Sequence, residues 1–149
     1  MIILGKLFLK ADKQQIRNLI EHYNMYCLDN VKQSRRYAMK EGDSWCAMFV
    51  SVLASLSGYK PSHFPYEVSV LEMVKIAVYR NQWRRGVEGI RQGDLIVYNW
   101  NDDSLPDHVG VVASVVNGEI NVLEGNKNGT VGYRTVDKGS KYIVGYIEL

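Results

Sequence analysis

Three observations predict an α+β fold for this chain. Helix-period apolar patterning fills the first half, strand-like apolar runs fill the second, and Asn117-Gly118 sits between two of those runs as a hairpin signal. Helices that precede the strands, rather than alternating with them, favour N-terminal helices packed on a C-terminal antiparallel sheet. The 149 residues show no internal repeat, low-complexity tract or linker, and are read as a single domain over residues 1–149.

The run Met1 to Leu9 is apolar but short, with no basic leader and no clear cleavage site. It is read as part of the fold rather than a signal peptide, which implies synthesis in the cytoplasm. Asp12 is placed to cap a helix whose Ile16, Leu19, Ile20 and Tyr23 share one face. The polar, basic stretch Val31 to Gly42 reads as a loop or short helix. Asp43 or Ser44 then caps a helix to about Leu56, with Gly58 as its stop. That helix is apolar nearly all round, so it is expected at the centre of the core. Val68 to Tyr79 reads as a third helix. Strands are expected from Leu95 to Tyr98, His108 to Val116, Glu119 to Leu123, Tyr133 to Val136 and Tyr142 to Ile147.

Bulk properties exclude several roles. Eighteen basic against sixteen acidic residues give a net charge of +2, too small to indicate a nucleic-acid partner. No apolar stretch reaches the roughly 20 residues that span a bilayer, so no membrane insertion is expected. Two cysteines, Cys27 and Cys46, are too few for a disulfide framework, and Cys27 reads as a small buried hydrophobe.

The chemistry centres on Cys46. It falls at the first turn of the buried helix, where unpaired N–H groups and the helix dipole favour negative charge and hence thiolate. Further along, Asp107-His108-Val109-Gly110 supplies a base, and Glu124-Gly125-Asn126 supplies two groups able to orient it. Taken singly, each has a plainer explanation: a packed core thiol, a strand-edge histidine, a turn. The hairpin register decides whether they can meet. A strict two-residue turn carried through both strands sets His108 opposite Lys127, away from Glu124. A three-residue loop with Gly118 in a left-handed bulge sets His108 opposite Asn126 and Gly110 opposite Glu124. The catalytic reading is expected to need the bulged loop.

Ser44-Trp45-Cys46-Ala47-Met48-Phe49-Val50, Gly93-Asp94-Leu95-Ile96-Val97-Tyr98, Asp107-His108-Val109-Gly110-Val111-Val112, Glu124-Gly125-Asn126 and Val144-Gly145-Tyr146-Ile147 together resemble the CHAP family. These are cysteine- and histidine-dependent amidohydrolases/peptidases with a papain-like fold, and the resemblance runs from about Arg36 to the C-terminus. It implies Cys46 as nucleophile, His108 as base, Glu124 as the orienting acid and Asn126 as a fourth polar member. It also implies action on bacterial peptidoglycan, as an N-acetylmuramoyl-L-alanine amidase or a cell-wall endopeptidase of phage-lysin type. Neither cofactor nor metal is required, and a separate pore-former or wall-binding subunit would bring such an enzyme to the wall.

Two departures stand out. Trp45 occupies the position where many relatives carry Gln, leaving Ser44 or Asp43 to supply a second oxyanion donor. No aspartate lies between Arg36 and Gly42, where some relatives hold calcium. The Trp45 departure motivates a rival, a non-catalytic wall-binding or inhibitory module on the same fold. The oxygen-rich loop from Asn99 to Asp107 is read as a solvated turn in preference to a cation site, and a zinc site of Cys46, His108 and Glu124 is disfavoured for want of a spacing motif. Lys75, Arg84, Arg85 and Arg91 near Trp83 read as a solvated helix end, with Tyr98, Trp100 and Tyr133 as candidates for substrate contact.

Overall fold

The computed structural model describes residues 1–149. Four α-helices, α1 (Ile2–Gly5), α2 (Lys13–His22), α3 (Cys46–Leu56) and α4 (Val70–Tyr79), precede six strands. The strands are β1 (Trp83–Arg85), β2 (Leu95–Tyr98), β3 (His108–Val116), β4 (Glu119–Lys127), β5 (Thr130–Asp137) and β6 (Ile143–Ile147). They form one antiparallel sheet in the order β1-β6-β2-β3-β4-β5. This is the α+β arrangement expected from the sequence, with the cysteine at a helix start and the histidine on the sheet. The sheet is not a plain meander, because β6 returns to lie between β1 and β2.

Local chemistry sets the helix boundaries. Asp12 caps α2 through a reciprocal box: its carboxylate accepts from the Gln15 N–H at 2.8 Å, and the Gln15 side chain accepts from the Asp12 N–H at 3.0 Å. The helix then widens into a π-turn over Tyr23–Cys27, which buries both Tyr23 and Cys27. Ser69 caps α4 at Glu72. Every residue of α3 from Cys46 to Ala54 is buried, as its all-round apolar sequence requires. The helix packs on β3 and β4 on one side and on α2 and its π-turn on the other. Gly58, at φ 79°, closes its C-terminus while the Tyr59 N–H returns to the Ala54 carbonyl.

The sheet is apolar on both faces. Leu95, Val97, Val109, Val111, Leu123 and Val131 join the helices in the main core. Ile96, Tyr98, Val112, Ile120, Val122 and Tyr146 form a smaller core on the opposite face, closed by Ile90, Val87 and Trp100.

Three local expectations are corrected. Neither Asp43 nor Ser44 caps α3: Trp45 occupies the N-cap with no side-chain bond, because the Asp43 carboxylate is taken by the Tyr37 hydroxyl at 2.9 Å and the Lys40 N–H at 3.1 Å. Arg84 and Arg85 lie on the edge strand β1, not a helix end, paired with Tyr146 and Gly145 of β6. The third correction concerns the hairpin. Asn117 (φ 51°) and Gly118 (φ 80°) make a strict two-residue turn, with Val116 opposite Glu119 and Ser114 opposite Asn121. The extra residue is Ala113, within β3, beyond which Val112 faces Val122 and Val111 faces Leu123. The register that the chemistry needs is present, but a bulge inside the strand creates it rather than the loop.

Candidate functional site

Cys46 opens α3, His108 opens β3, and Glu124 lies in β4 where the shifted register puts Gly110 beside it. A Cβ on Gly110 would come 2.8 Å from the Glu124 Cγ and 3.0 Å from the Leu123 carbonyl oxygen, so only glycine admits the glutamate. The His108 Nε2 lies 3.1 Å from the Glu124 Oε2, and the Cys46 thiol is within hydrogen-bonding reach of the same ring. The histidine–glutamate approach is a close ion pair, out of line for a linear hydrogen bond, since Nε2 has no well-directed acceptor.

Electrostatics follow from this packing. Burial by itself would lower the pKa of His108. The close approach of Cys46 and Glu124, and the electrostatic pull of both, outweigh burial and raise it to about 9. Glu124 is fully buried, which by itself would raise its pKa, but His108 and Arg134 hold it below the ordinary carboxylate range. The array can hold an imidazolium beside a sulfur nucleophile, the arrangement that thiol acyl transfer uses.

The sequence model of the CHAP domain family matches residues 36–126, more than half of the chain. The chain belongs to the CHAP domain family. It is also similar in fold to the crystal structure of Ly7917, at 14% identity and a TM-score of 0.46, covering 89% of this chain and 61% of that one. The crystal structure of Ly7917 with the hydrolyzing product of MDP aligns at 17% identity and a TM-score of 0.41, covering 88% and 62%. The chain thus spans less than two thirds of the length of these relatives. No curated protein matches it.

Within this CHAP domain the four residues singled out from sequence do not all converge. Cys46, His108 and Glu124 stand together. Asn126 does not join them: β4 carries an extra residue between Glu124 and Lys127 relative to β5, and Asn126 adopts φ 57° there. It makes no hydrogen bond to the histidine or the glutamate. It instead lines a cavity of about 360 Å³ with Ser44, Trp45, Glu41, Arg17 and Lys13. Trp45 has a packing reason to be where it is: it is 6% exposed and its ring meets Phe49 edge-on at 6.3 Å. Ser44 is exposed and faces the cavity, whereas Asp43 is held by its own loop.

Other sequence candidates fall elsewhere. Tyr98 is fully buried, so it cannot be a groove-wall contact; it stacks between Trp100 and the His108 ring. Tyr133 is exposed. Two of the four cations of the basic patch are paired within the protein, Arg84 with Glu148 at 3.2 Å and Lys75 with Glu72 at 3.0 Å. In the oxygen-rich loop, Asp107 spends both carboxylate oxygens on the N–H groups of Trp100 and Asn101, each at 3.0 Å. A zinc ion on Cys46, His108 and Glu124 does not fit, because Arg134 occupies both oxygens of Glu124.

Arg134 is the site residue that sequence reasoning missed. Its Nε donates to Oε1 and Oε2 of Glu124, each at 2.9 Å. It lies in β5, beyond the residues that the family model matches, and no motif marks it. The available signal was the strand itself: the register of β4 with β5 sets Arg134 opposite Val122 and Gly132 opposite Glu124, which puts the arginine on the glutamate's face.

Proposed function

We propose that this CHAP domain is a thiol hydrolase of bacterial peptidoglycan, cleaving an amide bond as an N-acetylmuramoyl-L-alanine amidase or a cell-wall endopeptidase. The observation that carries the reading is the contiguous array of Cys46, His108 and Glu124 at the start of α3. The Cys46 sulfur attacks the amide carbonyl carbon, and the carbonyl oxygen takes up the negative charge. The backbone N–H of Cys46 faces that oxygen at a helix start that no side chain caps. Collapse of the adduct breaks the C–N bond while His108 delivers its proton to the departing amine. Water, deprotonated by His108, then attacks the thioester and restores the thiol. Glu124 holds the ring throughout.

Asn126, Ser44 and Trp45 line the cavity beside the nucleophile and are assigned to substrate contact rather than to orienting the base. The biological setting we infer is lysin-like: cytoplasmic synthesis, with a separate pore-former or wall-binding partner giving access to the wall.

Mass spectrometry of fragments released from purified peptidoglycan, in reductant, tests this reading with wild type against Cys46→Ala. New termini with wild type that vanish in the variant are expected, and the termini identify the bond. No release by either protein, across walls of several cross-bridge types, would overturn the hydrolase in favour of a wall-binding module.

A further inference from the structure

We propose that Arg134, seated on Trp100, is a positioning residue that fixes the orientation and charge of Glu124 and so sets the working pH range of His108. The inference rests on the hydrolase reading above. Its first support is the arginine's grip. A fully buried carboxylate with one histidine neighbour can rotate, or take up a proton as the pH falls. The Arg134 Nε donates to both oxygens at 2.9 Å, which centres the cation between them and leaves Oε2 facing the His108 Nε2 at 3.1 Å.

The second support is what holds the arginine. Its guanidinium carbon lies 4.7 Å from the centre of the Trp100 ring. Trp100 stacks on Tyr98 at 4.7 Å, and Tyr98 lies over the His108 ring at 5.9 Å. Trp100 is fixed in turn by its backbone N–H to Asp107 and by Tyr142, at 5.0 Å. Arg134 therefore meets the histidine by two routes, through the carboxylate on one side and a column of aromatic rings on the other, closing a ring of contacts around the base.

The ionisable groups facing the pair are few. Around Glu124 and His108 they are Cys46 from α3, Tyr98 from β2 and Arg134 from β5. Asp107, although next to His108 in sequence, is turned to its own loop. Arg134 is thus the one permanent cation on Glu124, and its loss lets Glu124 accept a proton at higher pH. Activity then begins to fall on acidification sooner than in wild type. The alkaline limb, where His108 gives up its proton, does not move down, since a neighbouring cation has been removed.

Steady-state kinetics on soluble muropeptides across both pH limbs compares wild type with Arg134→Gln and Arg134→Lys. In Arg134→Gln the acid limb of kcat/KM moves up by about one pH unit and kcat falls about 10- to 100-fold, with KM nearly unchanged. In Arg134→Lys the charge returns the acid limb to its wild-type position, while kcat stays low because an ammonium has no planar face to stack on Trp100 and is not held in place over the carboxylate. A wild-type acid limb or wild-type kcat in Arg134→Gln overturns the proposal. Should that variant fail to fold, Arg134→Lys decides: reduced kcat with a wild-type acid limb supports it, and wild-type kcat overturns it. Absence of turnover by wild type would instead strike the hydrolase reading. NMR titration of the His108 ring, which needs no turnover, then reports whether Glu124 takes its proton at higher pH in the variant; unchanged titration overturns the inference.

Discussion

Gly125→Ala tests how tightly the spacing between α3 and β4 governs the site. A Cβ built on Gly125 lies 2.4 Å from the Phe49 Cβ, 2.6 Å from its Cγ and 2.9 Å from its Cδ1. Carbon contacts settle at about 3.5–4.0 Å, so the methyl overlaps by roughly 1 Å. Phe49 cannot yield by changing rotamer, because the clash includes its Cβ, which is fixed to the helix backbone. Its ring is also held edge-on by Phe8 and by Trp45, each at 6.3 Å. Strand and helix must therefore part. Phe49 is hydrogen-bonded to the Trp45 carbonyl one turn back, so the start of α3 moves with it and carries Cys46 away from His108. Overpacking of this kind costs about 1–3 kcal/mol, and in a domain of this size each kcal/mol lowers Tm by roughly 2–4 °C. A displacement of about 1 Å between reacting groups costs on the order of 100-fold in rate. Thermal melts and fragment-release kinetics measure the two effects side by side. Wild-type Tm together with wild-type kcat/KM would refute the reasoning, because it would show that the helix and strand absorb the methyl without moving the cysteine.

Two further outcomes follow from the electrostatics. His108 titrates near 6.5 when unfolded and at about 9 in the fold, so its contribution to stability is complete below about pH 6.5 and lost as pH rises through about 9. Denaturant titrations should show wild type losing on the order of 3 kcal/mol across that window, and His108→Gln losing distinctly less; identical profiles would refute the assignment. Cys27 is fully buried and burial pushes its thiol up to about 11, so iodoacetamide should label Cys46 in the native protein and reach Cys27 only in denaturant. Native labelling of Cys27 at the rate of Cys46 would contradict this packing.

Much of the architecture was legible because local rules agreed with the fold. The capping box of α2, the all-apolar α3 and the Asn117-Gly118 turn each announced themselves. A second Asn-Gly pair, Asn128-Gly129, makes the β4–β5 turn with both residues at positive φ (53° and 78°), and was available to the same reasoning. Strand β1 was hidden because three residues carrying two arginines have no strand period, and only pairing with β6 makes them one. The cysteine, histidine and glutamate were legible as chemistry, but their meeting depended on Ala113, a residue with no propensity that marks a bulge. Asn126 was read as a partner of His108 because the second bulge, in β4, leaves no sequence signature. Arg134 escaped because its importance lies in pairing with a buried acid across two strands, which no local pattern records.

The bulge at Ala113 gives β3 a division of labour along its length. On the site side of Ala113 the parity of the strand decides which residues look toward the glutamate. On the turn side, parity is set independently by Asn117-Gly118. The hairpin tip can therefore gain or lose matched pairs of residues without rotating His108, whereas drawing Ala113 into the ladder would turn the upstream half of the strand over and set Val109, not His108, on the glutamate's face. Paired changes of length are thus cheap at the exposed tip, whereas a change that straightens the bulge at Ala113 is ruinous to the site. Evolution or a protein engineer could lengthen, decorate or graft onto that tip while inheriting the site unchanged.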